Sequence, residues 1–531
     1  MGSHSASAPS VAAPHVPLSS SALAILEEFW GRRALSLAMA VGVAGLSGFV
    51  FARLMPRGPV DSGQALALLF GSLIAGVVAG FIMRSGWAAL FAPLASLAIF
   101  ELVRRGEVGP SVDAINLETT FGIIGLLVGR GVYVLISFVP MIAGAIYGST
   151  VAQWLSTAAL SMRSAEHRRM RRSRVALIGG TAFAVAGLAL SLARPATVPA
   201  VTDANGNKID GSVAELIPVD LGGHEQWIEI RGANPDNPVI LYLNGGPGQS
   251  DLALSRVLLE PLHQDFTVVG WDQRGTGKSY GSLDPETLTL DAIVSDTIEL
   301  TNYLRDRFDQ EKIYLLTESW GSIPGILAVQ QHPELYHAYI GSGQMVDVQE
   351  TDRIIYDDLL AYAEATGDTD LADKLEGFGP PPYADIWAYA FVVQNYGLIE
   401  DDFDPPQPYV DRAEASGVGF FGIMGSEYTL IDKANVIRGL LDMASFMYPQ
   451  IQEIDFRQQA ATLQVPVYLF DGEHELRGRR ELAHQWFDLL DAPVKEMFTF
   501  EHAGHAPAFE YADELHRILV EVIVPEATAT A

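Results

Sequence analysis

A serine at 319, a histidine at 505 and a carboxylate between them are the residues of this chain whose types and order could carry out acyl transfer. A serine hydroxyl is a poor nucleophile unless a base stands within hydrogen-bond reach, and an imidazole base needs an acid to fix its tautomer. Ser319 lies in Thr317-Glu318-Ser319-Trp320-Gly321, with an apolar run before it and an amphipathic segment after it. That context places it on a sharp strand-to-helix turn, which presents the side chain at the end of a sheet. Gly321 is the small residue such a turn needs two positions on, but Thr317 stands where a glycine is expected two positions before. Pro324 falls in the first helical turn, where a missing N–H costs little. His505 follows an expected strand in Glu501-His502-Ala503-Gly504-His505-Ala506-Pro507, and His502 is its competitor, on the strand or its end. The acid comes from Asp471-Gly472-Glu473-His474-Glu475. A glycine, two residues and then an acid selects Glu475, and Asp471, at the strand end, is the runner-up. The turn Asn244-Gly245-Gly246-Pro247-Gly248 follows another buried strand. The backbone N–H groups of Gly246 and Trp320 are the candidate oxyanion donors; removing one such donor typically costs about 100- to 1000-fold in rate.

The elements that must position these residues are legible from about residue 222. Glu225–Arg231 alternates polar and apolar side chains and suits an antiparallel strand. Pro238–Leu243, Thr267–Trp271, Lys312–Leu316, Pro466–Phe470 and Met497–Phe500 read as further strands, with amphipathic helices at Leu288–Phe308 and Ile323–Gln331. Strands alternating with helices imply a largely parallel α/β sheet. Residues 344–460 break the rhythm. They are helix-like, rich in Asp, Tyr and Trp, and inserted between the strand after Ser319 and the strand at 466, so they read as a helical cap. The core is then 222–343 with 461–531.

The first part of the chain is of another kind. Residues 1–199 hold 15 arginines, no lysine and 8 acidic residues, a net of +7. The totals of 34 basic and 64 acidic residues leave 19 and 56 for 200–531, a net of −37. Such acidity argues against nucleic acid, whose phosphates need basic contacts. With no cysteine there is no disulfide framework, thiolate nucleophile or cysteine-ligated zinc. No metal or organic cofactor is expected. A bilayer span needs about 20 apolar residues, and runs near 34–54, 64–83, 86–103, 120–148 and 175–193 qualify, the fourth being long, carrying Arg130 and open to division. The reading is a flexible tail over 1–33, an all-α transmembrane domain of about five helices over 34–193, and a linker over 194–221. Arg130 calls for a partner inside the apolar run, with Glu101 or Glu118 as candidates. Arg163, Arg168, Arg169, Arg171, Arg172 and Arg174 cluster before the last span, which places that loop in the cytoplasm and the acidic domain outside. On a five-span count Arg53, Arg57, Arg104 and Arg105 then fall outside, against the same rule.

The acidic part resembles the proline iminopeptidase branch of the α/β-hydrolases over about residues 222–523. The strings that carry the resemblance are Asn244-Gly245-Gly246-Pro247-Gly248, Asp272-Gln273-Arg274-Gly275-Thr276-Gly277-Lys278-Ser279, Glu318-Ser319-Trp320-Gly321-Ser322 and Gly504-His505. The second is the most discriminating. The resemblance implies an α/β-hydrolase sheet with a helical cap, a triad of Ser319, Glu475 and His505, and release of one residue, often proline, from a peptide's amino terminus. It implies cap glutamates that bind the substrate ammonium. Met424-Gly425-Ser426-Glu427-Tyr428 looks like such a cap string shortened by one, making Glu427 the candidate, and Asn244 and Gly245 would border the substrate. Asn244 stands where the family often has histidine, Thr317 where it often has glycine, and Leu476 where some members have a second amine-binding glutamate.

These residues point to a membrane-anchored serine hydrolase whose substrate is a peptide or a small acyl compound, with the lipid bilayer as its other partner and oligomerisation open through the membrane domain. An aminopeptidase is expected first and an esterase or lipase second. A catalytically silent receptor or assembly module is the alternative from another class.

Overall fold

A computed structural model describes residues 20–113, 115–157, 165–203, 205–419 and 422–530. The chain divides into two units. One holds the residues up to Leu54, Ala67–Arg104 and Ile136–Leu188, and the other holds Met55–Leu66, Arg105–Leu135 and everything from Ala189.

Apolar helices make up the first unit, and the runs Ser62–Met83 and Thr120–Ser156 begin in the second. Arg33–Leu54 and Ser62–Met83, each 22 residues, and the 37-residue run Thr120–Ser156 are long and apolar enough to cross a membrane, and Ala88–Val103 and Ala176–Leu192 are shorter apolar helices. Two glycine pairs set one helix contact. A Cβ on Gly76 or Gly80 would fall 2.1 Å from the carbonyl oxygens of Met141 and Ala145, and one on Gly144 or Gly148 would fall 2.2 or 2.0 Å from those of Leu73 and Val77. Small residues four apart on both helices let the backbones touch, which is how apolar helices gain packing where hydrophobic burial gives no drive. Ser20–Gly31, expected as tail, is helical. The indole N–H of Trp30, near its end, donates to Phe81 O at 3.0 Å. Arg163 lies outside the described residues.

The second unit is an eight-stranded sheet in the order β1-β2-β4-β3-β5-β6-β7-β8. The strands are β1 Val213–Leu221, β2 His224–Gly232, β3 Val239–Leu243, β4 Thr267–Asp272, β5 Ile313–Glu318, β6 Tyr336–Ser342, β7 Val467–Gly472 and β8 Lys495–Phe500. β1 pairs antiparallel with β2 and β2 with β4, and every other neighbour is parallel. β3 shows why the central strands read as unbroken apolar runs. Val239, Leu241 and Leu243 enter one core layer and Ile240 and Tyr242 the other, so both faces are covered, as in a parallel sheet. β1 falls inside the stretch expected as linker. Pro218 and the polar Glu215 and Asp220 hide it in the sequence, and as an edge strand it tolerates the proline.

Between β6 and β7 lie the helices Val348–Thr366, Thr369–Phe378, Ile386–Gln394, Gln407–Ser416 and Leu430–Met447. Part of this insertion's aspartate content is used at helix starts. Asp347, Asp368 and Asp385 each accept from a backbone N–H in the first turn of the helix that follows. Thr429 and Asp432 form a reciprocal capping box.

Candidate functional site

β5 ends at Glu318 and a helical turn begins at Ser319, whose φ is +50°. A non-glycine residue held in this region stores strain, and here the strain turns the serine side chain out at the strand end. The turn is tight: a Cβ on Gly321 would lie 2.3 Å from Leu243 O. Thr317, the departure from the small-residue pattern, is buried and its hydroxyl donates to Tyr339 Oη at 2.9 Å. Its bulk is accommodated by Gly325 on the following helix, where a Cβ would come within 2.6 Å of Thr317 Cγ2. The glycine missing from position 317 is supplied eight residues later.

His505, in the loop after β8, places Nε2 2.9 Å from Ser319 Oγ, and its Nδ1 is hydrogen-bonded to Glu475 Oε2. Burial alone would raise the Glu475 pKa, but the charges of His505 and Arg479 and the hydrogen bonds to the carboxylate hold it at about 2, against an ordinary 4.5. An ionised carboxylate only accepts, so the imidazole proton sits on Nδ1 and leaves Nε2 as acceptor for the serine hydroxyl. The other oxygen, Oε1, accepts from the Leu476 N–H at 2.7 Å and from Arg479 Nη1 at 3.2 Å. Asp471 is engaged elsewhere, by Arg480 at 3.3 Å, His484 at 3.1 Å and Thr499 at 3.2 Å. His502 is exposed on the turn.

The glycine turn runs beside the serine, since a Cβ on Gly245 would lie 3.5 Å from Ser319 Cβ. Asn244 closes the turn by donating from Nδ2 to Gln249 O. Trp320 is held by its indole N–H, which donates to Gln273 Oε1 at 3.0 Å. Gln273 belongs to the Asp272–Ser279 string, whose Arg274 makes a two-pronged pair with Asp296 at 2.9 and 2.7 Å. The string thus fixes the residue after the serine.

Glu427 is not brought to the serine as a free carboxylate. It is fully buried and Oε1 accepts from Arg256 Nε. Its charge also reaches Glu229, whose pKa burial and then Glu427 push up to about 8. Leu476 packs in the apolar core of the cap with Tyr356, Leu359 and Tyr448. Arg130 donates to the carbonyls of Val112 and Asp113 at 3.0 and 2.5 Å. Arg479 and Gln273 escaped the sequence reading. The first had a signal, the spacing of four from Glu475 on a helix start; the second had none beyond its string. Glu318 escaped it too. It is buried beside Ser319, and burial pushes its pKa well above the ordinary range, opposed in part by the Ser342 hydroxyl. Among the described residues no group of three or more His, Asp or Glu is placed to hold a metal ion.

Residues 238–397 match the family model for the alpha/beta hydrolase fold. Over 303 residues the chain is 30% identical to the "Probable aminopeptidase YbaC" of Bacillus subtilis, spanning 56% of this chain and 93% of that protein. A proline iminopeptidase of Clostridioides difficile is 29% identical over 142 residues, 25% of this chain and 46% of that one. Among solved structures, a proline iminopeptidase-related protein from Thermus thermophilus is 21% identical, covers 60% of this chain and 98% of its own, and superposes with a TM-score of 0.41. The proline iminopeptidase of Mycobacterium smegmatis is 15% identical, covers 60% and 100%, and also gives 0.41. The sheet order, the sharp turn at Ser319, the matched residues and the relative matched over nearly its whole length lead to one conclusion: the chain is a hydrolase and belongs to the α/β-hydrolase family, in its proline iminopeptidase-like branch.

Proposed function

We propose that the protein is a membrane-anchored serine hydrolase of aminopeptidase type. The observation that carries the reading is the hydrogen-bonded chain from Ser319 through His505 to Glu475. Ser319 Oγ attacks the substrate carbonyl as His505 Nε2 takes its proton, and Glu475 stabilises the imidazolium that forms. The N–H groups of Gly246 and Trp320 hold the oxyanion. His505 then protonates the leaving amine, and water, activated by the same imidazole, releases the acyl group from Ser319. The aminopeptidase assignment is supported by the relatives named above. An esterase is favoured by one observation: of the two positions that the resemblance gives to amine binding, Glu427 is paired with Arg256 and Leu476 is apolar and packed against the cap core. Hydrolysis of free-amine aminoacyl, N-acetylated aminoacyl and simple acyl fluorogenic substrates, with Ser319→Ala as blank, tests the reading. Strong preference for the free amine supports the aminopeptidase, equal cleavage of esters moves the esterase ahead, and absence of both turnover and fluorophosphonate labelling leaves the silent module.

The membrane arrangement has its own support. Met55–Leu66 and Arg105–Leu135 belong to the same compact unit as the hydrolase, which supports a topology of five crossings with that unit opposite the arginine cluster at 163–174. Arg57, awkward for the positive-inside rule, is buried against Asp442 at 3.1 Å. Protease cleavage of the hydrolase in intact cells supports an extracytoplasmic site; protection there with cleavage in inverted vesicles reverses it.

A further inference from the structure

Asp442, on the helix Leu430–Met447, is fully buried and gathers donors from three separate parts of the chain. Arg57 Nη1 donates to its carboxylate at 3.1 Å, the Ser111 N–H at 2.9 Å, Ser111 Oγ at 2.6 Å and Tyr280 Oη at 2.7 Å. The same helix face continues the junction. Arg438 donates to Pro59 O at 2.9 Å and to Arg57 O, and Asn435 Nδ2 donates to Val60 O at 2.7 Å. Positions 435, 438 and 442 lie on one side of a helix; all three hold Met55–Leu66, and Asp442 also holds Arg105–Leu135 through Ser111.

The adjoining face of that helix holds the glycine turn. A Cβ on Gly248 would stand 2.6 Å from Gly439 O, 2.8 Å from Met443 Cβ and 2.9 Å from Leu440 Cα. A Cβ on Gly439 would stand 2.8 Å from Gly275 O and 2.9 Å from Thr276 Cα. Backbone meets backbone with no side chain between to absorb a shift, so the helix and the turn move together.

We infer that Asp442 is a positioning residue of the hydrolase site. Through the Leu430–Met447 helix, the two segments Met55–Leu66 and Arg105–Leu135 set the Gly245–Gly248 turn against Ser319. These inter-helix segments are part of the site's scaffold rather than connectors. The inference rests on the proposed role of Gly246 as an oxyanion donor.

The test uses the full chain in detergent or nanodiscs, as wild type, Asp442→Ala, Ser111→Ala and Arg57→Lys. Turnover of an acyl ester is measured per active site, with sites counted by fluorophosphonate labelling, alongside KM, thermal stability and amide hydrogen exchange of the peptide containing 244–249. Loss of a whole oxyanion donor costs about 100- to 1000-fold, so a displaced one should cost less. Asp442→Ala should lower kcat per labelled site by about 10- to 100-fold with KM within about threefold, and speed exchange in the turn. Ser111→Ala and Arg57→Lys should show the same pattern in smaller degree. If Asp442→Ala does not accumulate folded, those two decide. A fall in thermal stability with kcat per site and turn exchange unchanged overturns the inference. If the wild type is neither labelled nor active, the proposed function fails instead, and exchange in 244–249 alone decides whether Asp442 holds the turn.

Discussion

Replacing Glu475 by glutamine removes charge and little else, and the structure sets the size of the effect. Against a burial that would raise it, the charges of His505 and Arg479 and the hydrogen bonds from His505 and Leu476 hold the carboxylate at about 2 rather than 4.5, a net of about 3 kcal/mol favouring its ionised form. The part that reaches His505 stabilises the imidazolium formed as Ser319 attacks, worth up to roughly 100-fold in rate. A second effect compounds it. In Glu475→Gln the amide oxygen can keep Arg479 and turn its NH2 toward Nδ1 of His505. The imidazole proton then moves to Nε2, which can no longer accept from Ser319, at a further cost of about 10- to 100-fold. Together kcat should fall by about 1000- to 10000-fold; neutralising this carboxylate in a serine triad costs about 10000-fold. Asp471→Asn is the control. Its partners Arg480 and His484 have side chains 32% and 43% exposed, so it should cost about 1 kcal/mol of stability and change kcat by less than about threefold. Both variants are compared per site labelled by a fluorophosphonate. Glu475→Gln within tenfold of wild type, or Asp471→Asn as the worse of the two, would refute the reasoning.

Three further outcomes follow from the geometry. Gly325→Ala should cost about 1–3 kcal/mol through the clash with Thr317 Cγ2; Thr317→Ser, which keeps the hydroxyl bonded to Tyr339, should restore most of it, and chemical denaturation of the two single variants and the double would expose a lack of rescue. Glu229 titrates near 8 when folded and at its ordinary 4.5 when unfolded, so the native state binds the extra proton and stability falls as pH rises between those values; Glu229→Gln should flatten that part of a Tm-against-pH curve, and an unchanged slope counts against it. Because Glu427 is bound to Arg256, Glu427→Gln should leave the ratio of free-amine to N-acetylated turnover within about twofold, whereas Arg256→Ala, which strands a buried charge, should cost about 3–5 kcal/mol of stability. A Glu427→Gln variant that loses amine preference would return the ammonium role to this residue.

The central strands and the sharp turn at Ser319 were legible because they depend on local pattern: apolar runs of five or six residues and a strand-turn-helix context. β1 was not, since an edge strand carrying Pro218, Glu215 and Asp220 has neither alternation nor a continuous apolar run. At the site, spacing alone pointed to Glu475 over Asp471, and the structure places Glu475 on His505. Glu427 shows the opposite limit. Its string looked like an amine-binding motif, but its partner Arg256 lies 171 residues away, and no local pattern reports a contact of that range. The attachment of Met55–Leu66 to Asp442 was hidden for the same reason, being a contact across 385 residues. Arg57 read as a topological signal because a sequence shows a charge without the carboxylate that meets it.

The pairing of Thr317 with Gly325 constrains the history of this chain. The elbow has room for one side chain between these two positions, and that room can be assigned to either of them. Starting from a glycine at 317 with an alanine at 325, a threonine arriving first would meet the overlap at Cγ2. A change at 325 is the less costly first step, and with threonine in place an alanine at 325 meets the same overlap. Two substitutions, each harmless only in one order, act as a ratchet. Chains of this branch that carry threonine before the nucleophile should therefore carry glycine eight positions later, and a motif written as paired volumes would find them where one written as a string of letters passes them over.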